Sequence, residues 1–180
     1  MKKIVLTFGV ISGVVSSLMM LATIPFIDQI GFDRGAIVGY TAMLLSFLLV
    51  FFGVRSYRDN VGGGAISLSR GLAVGLLITL ISCAFYVATW EVVYFKFMPD
   101  FADKFTAYGI EQARAKGATP EVIAAKEREA REFKAMYDQP LNNIALTFLE
   151  PLPIGLLVTV VSAVTLRRRP GPGASAPRTN

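Results

Sequence analysis

Residues 71–90 read GLAVGLLITLISCAFYVATW, twenty residues without one charged side chain. At 1.5 Å of rise per residue, a helix of this length covers about 30 Å, which is the thickness of the hydrocarbon core of a bilayer. An uncharged run this long is typical of a membrane-spanning helix and is seldom buried inside a small soluble domain. We therefore predict a transmembrane helix over residues 71–94.

Three further apolar runs lie on either side of this one. They predict spans over residues 4–27, 36–54 and 144–166. Charged residues make up only 17% of the chain, against roughly 25% in ordinary globular proteins, and the mean hydropathy is +0.54. We expect an all-α polytopic membrane protein in which residues 1–166 form one domain of four transmembrane helices.

Lysine and arginine gather on one side of the predicted membrane. The short segments on that side hold nine basic residues, and the connection between the first two runs holds only Arg34. The nine are Lys2, Lys3, Arg55, Arg58, Arg70, Arg167, Arg168, Arg169 and Arg178. Because basic residues beside helix ends are retained in the cytoplasm, both termini are predicted to be cytoplasmic. The tail 167–180 is rich in Pro, Gly and Ser and is predicted to be disordered there.

Residues 96–140 then lie outside the cytoplasm, with eight basic and eight acidic residues. Pro99 suits the start of one helix and Gly117 its end, and Pro120 suits the start of a second that ends around Asp138. Apolar side chains share one face of each helix: Phe101, Phe105 and Tyr108 on the first, and Val122, Ile123, Ala130, Phe133 and Tyr137 on the second. We predict an extracytoplasmic helical hairpin. Its apolar faces either pack together or on the bilayer, or they form a groove for a partner.

Small residues recur four positions apart within the apolar runs. They are Gly9 and Gly13; Gly35 and Gly39; Gly71, Gly75, Thr79 and Cys83; and Gly155, Thr159 and Ala163. Such a stripe lets two helix backbones approach closely in lipid. We expect a tight bundle, formed within one chain or between copies. The expected partners are therefore the lipid bilayer and either a second copy of the chain or another membrane protein.

A glycine-rich loop, RDNVGGG at residues 58–64, joins the second and third spans. The candidate residues are Arg58, Asp59, Asn60, Gly62, Gly63, Gly64 and, beyond the loop, Arg70. A P-loop requires GxxxxGK[ST], and a dinucleotide fingerprint requires GxGxxG within a βαβ unit, so neither fits. Two interpretations remain. The loop is a turn whose arginines hold the helix ends at headgroup level, or its glycine N–H groups and two arginines bind an anionic lipid headgroup.

Glu150, in the sequence TFLEPLPIG, is the candidate intramembrane polar site, with Glu91 as its possible partner. If the fourth helix begins near Leu141, Glu150 lies about 13 Å along it, where a carboxylate is costly. The prolines at 151 and 153 would then expose backbone carbonyls beside it, as in a proton or cation site. If the helix begins at Pro151 instead, Glu150 lies at the outer interface, as Glu91 does beside Trp90.

The composition argues against enzyme chemistry. The chain has no histidine, and its single cysteine, Cys83, lies within an apolar run. A Ser-His-Asp or Cys-His arrangement is therefore impossible, and the acidic residues are interleaved with basic ones rather than clustered. We expect no enzymatic activity, no catalytic residue, no metal site and no cofactor. The basic residues do not share one soluble face, so no nucleic-acid partner is expected.

The segments GVRSYRDNVGGGAISLSRGLAVGLLITLI, FYVATW and FMPDFADKF, at 53–81, 85–90 and 97–105, carry a family resemblance. With roughly residues 5–165, the chain resembles the bacterial integral-membrane family catalogued as domain of unknown function 4199. The resemblance implies four spans and the bacterial inner (plasma) membrane, and it implies no activity. We expect an interaction or assembly role through the membrane helices and the hairpin. The alternative is a small transporter or channel subunit that uses Glu150.

Overall fold

The computed structural model describes residues 1–168, and its regular structure is helical. The helices are α1 (Lys2–Thr23), a 3-10 turn (Ile24–Phe26), α2 (Ile27–Ile30), α3 (Phe32–Asn60), α4 (Leu68–Lys96), α5 (Phe101–Ala115), α6 (Pro120–Tyr137), α7 (Pro140–Leu149) and α8 (Leu152–Leu166). The expected all-α class is confirmed. From residue 169 onward, the tail predicted to be disordered lies outside the described residues.

Four segments of the described chain are long and apolar enough to cross a membrane, as predicted. They are Lys2–Phe26, Phe32–Asn60, Leu68–Lys96 and Pro140–Leu166. The second, third and fourth segments contain the predicted runs and extend beyond them, because polar residues at their ends continue the helix, whereas the first begins at Lys2 and ends at Phe26, one residue before the predicted end. The second segment ends at Asn60, six residues past the apolar run. Arginine favours a helical conformation, so Arg55 and Arg58 continue the helix beyond the apolar layer.

Helix α4 lies at the centre of the bundle and packs against the helices of all three other spans. Its side chains Val74 and Ile78 are completely buried, as are Val50 and Val54 of α3. We call the end of the bundle with Met1, residues 61–67 and Arg168 the loop end. The opposite end, which carries α5 and α6, is the hairpin end.

The stripes of α4 and α8 face each other. A Cβ on Gly75 would lie 2.7 Å from Thr159 Cγ2, and one on Gly71 would lie 3.2 Å from Ala163 Cα. One turn beyond Gly75, Thr79 of α4 and Thr159 of α8 share a hydrogen bond between their Oγ1 atoms at 3.1 Å. The absence of side chains thus brings the two backbones together, and the hydroxyl groups bond across the seam.

The stripe of α1 packs on α4 in the same way. A Cβ on Gly9 would lie 2.8 Å from Ile81 Cβ, and one on Gly13 would lie 2.6 Å from Phe85 Cβ. Gly39 differs, because a Cβ there would meet nothing within 4 Å. Three of the four predicted stripes are therefore occupied by neighbours within the chain.

Helices α5 and α6 pack together and are joined by a turn at residues 116–119, and we call the pair the hairpin. Gly117 in this turn has φ +75°, a conformation that favours glycine. Lys134 Nζ of α6 lies 2.8 Å from Asp103 Oδ2 of α5, and Phe32 of α3 makes edge contacts with Phe101 and Phe105. The hairpin is thus held to the start of α3 by aromatic rings.

The fourth span is broken at Glu150. Helix α7 ends at Leu149 and α8 begins at Leu152, with Pro151 fully buried between them. Since Pro151 and Pro153 have no N–H, the carbonyls of Thr147 and Leu149 lose their helical donors. The helical segment begins at Pro140, close to the first of the two predicted starts, and a second helix begins after Pro151.

Candidate functional site

Three aromatic side chains of α4, spaced four residues apart, form hydrogen bonds with residues at the ends of α6 and α7. Tyr86 donates its hydroxyl to Glu150 Oε2 at 3.1 Å, and Trp90 donates Nε1–H to the hydroxyl of Tyr137 at 2.9 Å. Tyr94 donates its hydroxyl to Asp138 Oδ1 at 2.5 Å. These three hydrogen bonds form a ladder along the hairpin-end half of α4. We call these side chains and their partners the aromatic ladder.

Glu150 lies at the break, and within residues 1–168 its side chain accepts a hydrogen bond from Tyr86. Its side chain is exposed on the surface of the bundle rather than enclosed by it. Sixteen residues separate it from the loop end of α8 at Leu166, which corresponds to about 24 Å of helix. If Leu166 marks one boundary of a hydrocarbon core of about 30 Å, a position 24 Å away would be nearer the hairpin end.

Glu91 is the second carboxyl of this region. Its Oε1 is buried and has no hydrogen-bond partner within residues 1–168. The pKa of Tyr137 is raised above its ordinary value, mainly by burial. Its hydrogen bonds with Thr147 and Trp90 lower this pKa, whereas the charges of Glu150 and Glu91 raise it further. Both carboxyls therefore lie within electrostatic reach of one phenol, although no hydrogen bond joins them to each other.

Asn143 and Thr147 hold the start of α7 against α6. Asn143 is fully buried, and its Nδ2 donates to the carbonyl of Tyr137 at 3.0 Å. Thr147 Oγ1 donates to Asn143 Oδ1 at 3.1 Å. The sequence analysis missed this pair and also Tyr86. The available signals were an amide inside an apolar run and polar aromatic residues at a spacing of four on α4.

Next to the ladder lies an apolar cavity of about 110 Å³ between α1, α3 and α4. Tyr86 and Trp90 form part of its wall, and four methionines form much of the rest: Met19, Met20, Met43 and Met98. Gly39 also lines this space, which explains why its missing Cβ has no neighbour.

The hairpin and the start of α3 enclose an open groove of about 630 Å³, which we call the hairpin groove. Phe32, Phe105 and Phe133 form its apolar part. Charged side chains of both signs line the remainder: Asp33, Lys116, Lys126 and Glu129. Tyr108 donates its hydroxyl to Asp33 Oδ2 at 2.6 Å across the junction between α5 and α3.

The glycine loop closes the end of α3. The amides of Val61 and Gly62 both donate to the carbonyl of Tyr57 at 3.0 Å, and the amide of Gly64 donates to the carbonyl of Arg58 at 2.9 Å. A Cβ on Gly62 would collide with the carbonyl oxygen of Ala65, and Gly63 and Gly64 have φ of +59° and +84°. Each glycine is thus required by the turn itself, as the first interpretation of the loop expects.

The polar residues of the loop do not converge on one point. Arg58 Nε bonds Asp59 Oδ1 at 2.7 Å, Arg55 Nε lies 3.6 Å from Asp59 Oδ2, and Asn60 Nδ2 donates to the carbonyl of Ser56 at 3.0 Å. The side chain of Arg70 makes a long contact instead, 4.0 Å from Nη1 to Met1 Sδ. Arg58 is therefore engaged with its neighbour rather than directed to a shared ligand position with Arg70.

A short backbone seam, missed by the sequence analysis, ties this loop to the end of α8. The amide of Ile66 donates to the carbonyl of Arg168 at 3.1 Å, and the amide of Arg168 donates back at 3.0 Å. We call this antiparallel pair the terminal seam. The sequence gives no signal for the pairing of Ile66 with Arg168, because no spacing rule relates two residues about a hundred positions apart.

In the part of the chain that the structure describes, no group of three or more Cys, Asp or Glu residues is placed to hold a metal ion. The aromatic ladder can hold and exchange protons at its carboxyl and phenol oxygens. The hairpin groove can accept apolar side chains beside charges of either sign.

Comparison with known proteins gives one family. The family described as "Protein of unknown function (DUF4199)" matches residues 7–168. No curated protein and no solved structure matches the chain. The match covers all four candidate spans and the hairpin, and it agrees with the resemblance carried by the loop and the third span.

Proposed function

Because the chain belongs to the DUF4199 family, whose function is unknown, we propose a role from its own geometry. It is a multi-pass membrane protein of the bacterial inner membrane that binds a partner polypeptide in the hairpin groove. The observation that carries this proposal is the groove itself. It remains open and chemically mixed, while three small-residue stripes are already occupied within the chain.

The chemistry of the groove favours a polypeptide segment. The rings of Phe105 and Phe133 offer contact area to apolar side chains, and rings of this kind contribute much of the energy at protein interfaces. Lys126 and Glu129 on the rim fit charges of opposite sign on the same segment. A partner with one or two apolar anchors flanked by charged residues matches this pattern.

The groove is also preorganised. Lys134 bonds Asp103, Arg114 Nη2 lies 3.0 Å from Glu127 Oε1, and Phe32 holds the hairpin against α3. A surface whose walls are held in place loses less conformational entropy on binding.

We place the groove outside the cytoplasm, because seven lysines and arginines of residues 1–168 lie in the short segments at the loop end: Lys2, Lys3, Arg55, Arg58, Arg70, Arg167 and Arg168. Alkaline phosphatase inserted at Gly117 is expected to be active, and the same enzyme fused after Asn180 is expected to be inactive. The opposite result would move the groove, and its partner, to the cytoplasmic side.

Gly109 provides the matched test of the groove. It lines the groove, and a Cβ there would meet nothing within 4 Å, so Gly109→Leu has room for its Cβ and is expected to extend its side chain into the groove. A photo-crosslinking residue at Lys126 is expected to capture a partner in native membranes, and Gly109→Leu is expected to remove this product. Gly109→Ala should retain it, since alanine also favours the helix. A crosslinker at Arg128, outside the groove, is the position control.

Crosslinking that persists in Gly109→Leu would contradict the groove as the binding site. Equal crosslinking from Lys126 and Arg128 would do the same, because contact all around α6 indicates collision rather than docking.

A second candidate function rests on the two carboxyls. Glu150 lies at a helix break beside two carbonyls without helical donors, and Glu91 holds a buried oxygen without a partner in the described chain. Carboxylates and freed carbonyls are the ligands that transporters use for protons and small cations. In this proposal the chain is a small transporter or channel subunit, with Tyr86 orienting Glu150.

Glu150→Gln separates the two proposals. It removes the ionisable group and keeps an acceptor for the hydroxyl of Tyr86. If the chain moves protons or cations, reconstituted wild type supports a flux that Glu150→Gln abolishes, whereas crosslinking from Lys126 is unchanged. Wild-type flux in the variant would eliminate the ion site and leave the partner proposal intact.

A further inference from the structure

The terminal seam brings the arginines that follow α8 next to the glycine loop. Ile66 and Leu166 are both buried, with 4% and 6% exposed, so both strands of the seam are anchored to the core. Beside the terminal seam lies a pocket of about 610 Å³. It is lined by Gly62, Ala65, Ile66, Ser67, Leu68, Arg167 and Arg168.

The positive charge in this pocket is not compensated. Asp59, the single acid between residues 55 and 70, is engaged by Arg55 and Arg58. Neither Arg167 nor Arg168 has an acidic partner within residues 1–168, and residues 169–180 contain no Asp or Glu. Two arginines therefore line this space, and within residues 1–168 no acidic side chain forms an ion pair with either of them.

We propose that this pocket binds a phosphoryl group, carried by an anionic phospholipid headgroup or by a soluble phosphate compound. The guanidinium of arginine presents parallel N–H donors that match phosphate oxygens in pairs. The seam holds Arg168 by its backbone, so its side chain remains free to reach a ligand. The assignment differs from the loop site expected from Arg58 and Arg70, because Arg58 bonds Asp59 and two of the three glycine amides close α3.

The position of the pocket suits this ligand. Arg167 follows directly on Leu166, the last residue of α8, so the pocket lies where the apolar span ends. Phosphoryl groups of lipids occupy this level of a bilayer, and soluble phosphates reach it from water.

The test uses the full chain in nanodiscs of phosphatidylcholine, with and without phosphatidylglycerol, and in detergent with inorganic phosphate. Arg167→Gln/Arg168→Gln is expected to weaken phosphatidylglycerol or phosphate binding by at least about tenfold. Lys2→Gln/Lys3→Gln removes the same charge from the same end of the bundle and is expected to change binding by less than about threefold. Unfolding temperatures of all variants verify that they fold.

Arg167→Lys/Arg168→Lys keeps the charge and loses the paired donors, so binding is expected to fall here too. Binding of phosphatidylglycerol alone identifies a lipid site, and binding of inorganic phosphate identifies a soluble ligand. If neither binds above phosphatidylcholine, the proposal is wrong. It is equally wrong if Lys2→Gln/Lys3→Gln loses as much affinity as Arg167→Gln/Arg168→Gln. Equal losses would show that binding depends only on the general charge of this surface.

Discussion

The two halves of α4 make their contacts in opposite ways. Toward the loop end, Gly71, Gly75 and Thr79 press the backbone of α4 against α8. Toward the hairpin end, Tyr86 and Trp90 reach across to other segments with long side chains and hydrogen bonds. One helix thus combines an interface of close backbone approach with an interface of extended polar side chains.

This difference shows where the chain can change shape. We call the contact of Gly71, Gly75 and Thr79 with α8 the glycine seam. It leaves little room for movement, because the atoms that face Gly71 and Gly75 belong to the short side chains of Ala163 and Thr159. An aromatic ladder consists of rings on rotatable bonds, and each hydrogen bond can break and form again. We therefore expect the loop-end half to fix the architecture and the hairpin-end half to carry any functional movement.

The largest expected effect comes from breaking the glycine seam. In Gly75→Leu, the new Cβ alone would lie 2.7 Å from Thr159 Cγ2 and 3.2 Å from Thr159 Cβ. Separation of α4 and α8 is expected to cost about 1–3 kcal/mol or more and to lower the unfolding temperature in detergent. Gly39→Leu is the control, since its side chain enters open space. Equal losses of stability in Gly75→Leu and Gly39→Leu would show that the close approach of α4 and α8 contributes no particular stability.

A smaller effect is expected from the aromatic ladder. Tyr137→Phe removes the acceptor of Trp90 Nε1–H and leaves a partly buried donor without a bond, at a cost of about 1–3 kcal/mol. Trp90 is the only tryptophan, so its fluorescence reports the change directly. Tyr108→Phe, which loses an exposed hydrogen bond to Asp33, is expected to unfold like the wild type. An unchanged emission spectrum in Tyr137→Phe would argue against the ladder.

The hydroxyl groups of the glycine seam contribute less than its shape. Thr79→Val removes a hydrogen bond to Thr159 and is expected to cost about 0.6 kcal/mol, the average for such bonds between membrane helices. Thr41→Val removes only a bond within its own helix, to the carbonyl of Ile37, and serves as the comparison. A loss as large as that of Gly75→Leu would show that hydrogen bonds, rather than close approach, hold α4 on α8.

The smallest effect concerns the ion pairs of the hairpin. The hydrogen bond to Asp103 raises the pKa of Lys134 above its ordinary value of 10.5, with a further contribution from Asp138. Because the folded pKa is raised, this stabilisation is present below pH 10.5 and is lost as the pH rises through the folded value. Lys134→Gln should therefore unfold slightly more easily than wild type near neutral pH and equally at strongly alkaline pH. A difference that grows with pH would contradict this sign.

The spacing of small residues predicted part of the packing correctly. The stripe through Gly71 and Gly75 and the stripe through Gly155 and Thr159 do occupy an interface. The same spacing at Gly35 and Gly39 has another outcome, because Gly35 faces Ile27 of α2 and Gly39 faces a cavity. A local pattern shows that a close approach is possible, and only the fold decides which neighbour fills it.

The partners of Glu150 could not be predicted from the sequence. Of the two predicted arrangements, one places Glu150 and its prolines within a helix that begins near Leu141, and in the structure the segment from Pro140 is divided into α7 and α8 at this point. The hydroxyl that bonds Glu150 belongs to Tyr86, sixty-four residues away in sequence. Such a pairing depends on the register of two helices that pack without a fixed repeat, so no reading of either segment alone reveals it.

The break at Glu150 also has a mechanical consequence. A proline-containing connection lacks two helical hydrogen bonds, so we expect α7 to bend relative to α8 more easily than one continuous helix would. The hydrogen bond between Tyr86 and Glu150 lies at this connection. We therefore expect a ligand that displaces the hairpin to change the Tyr86–Glu150 distance, which makes this distance a suitable measure of occupancy.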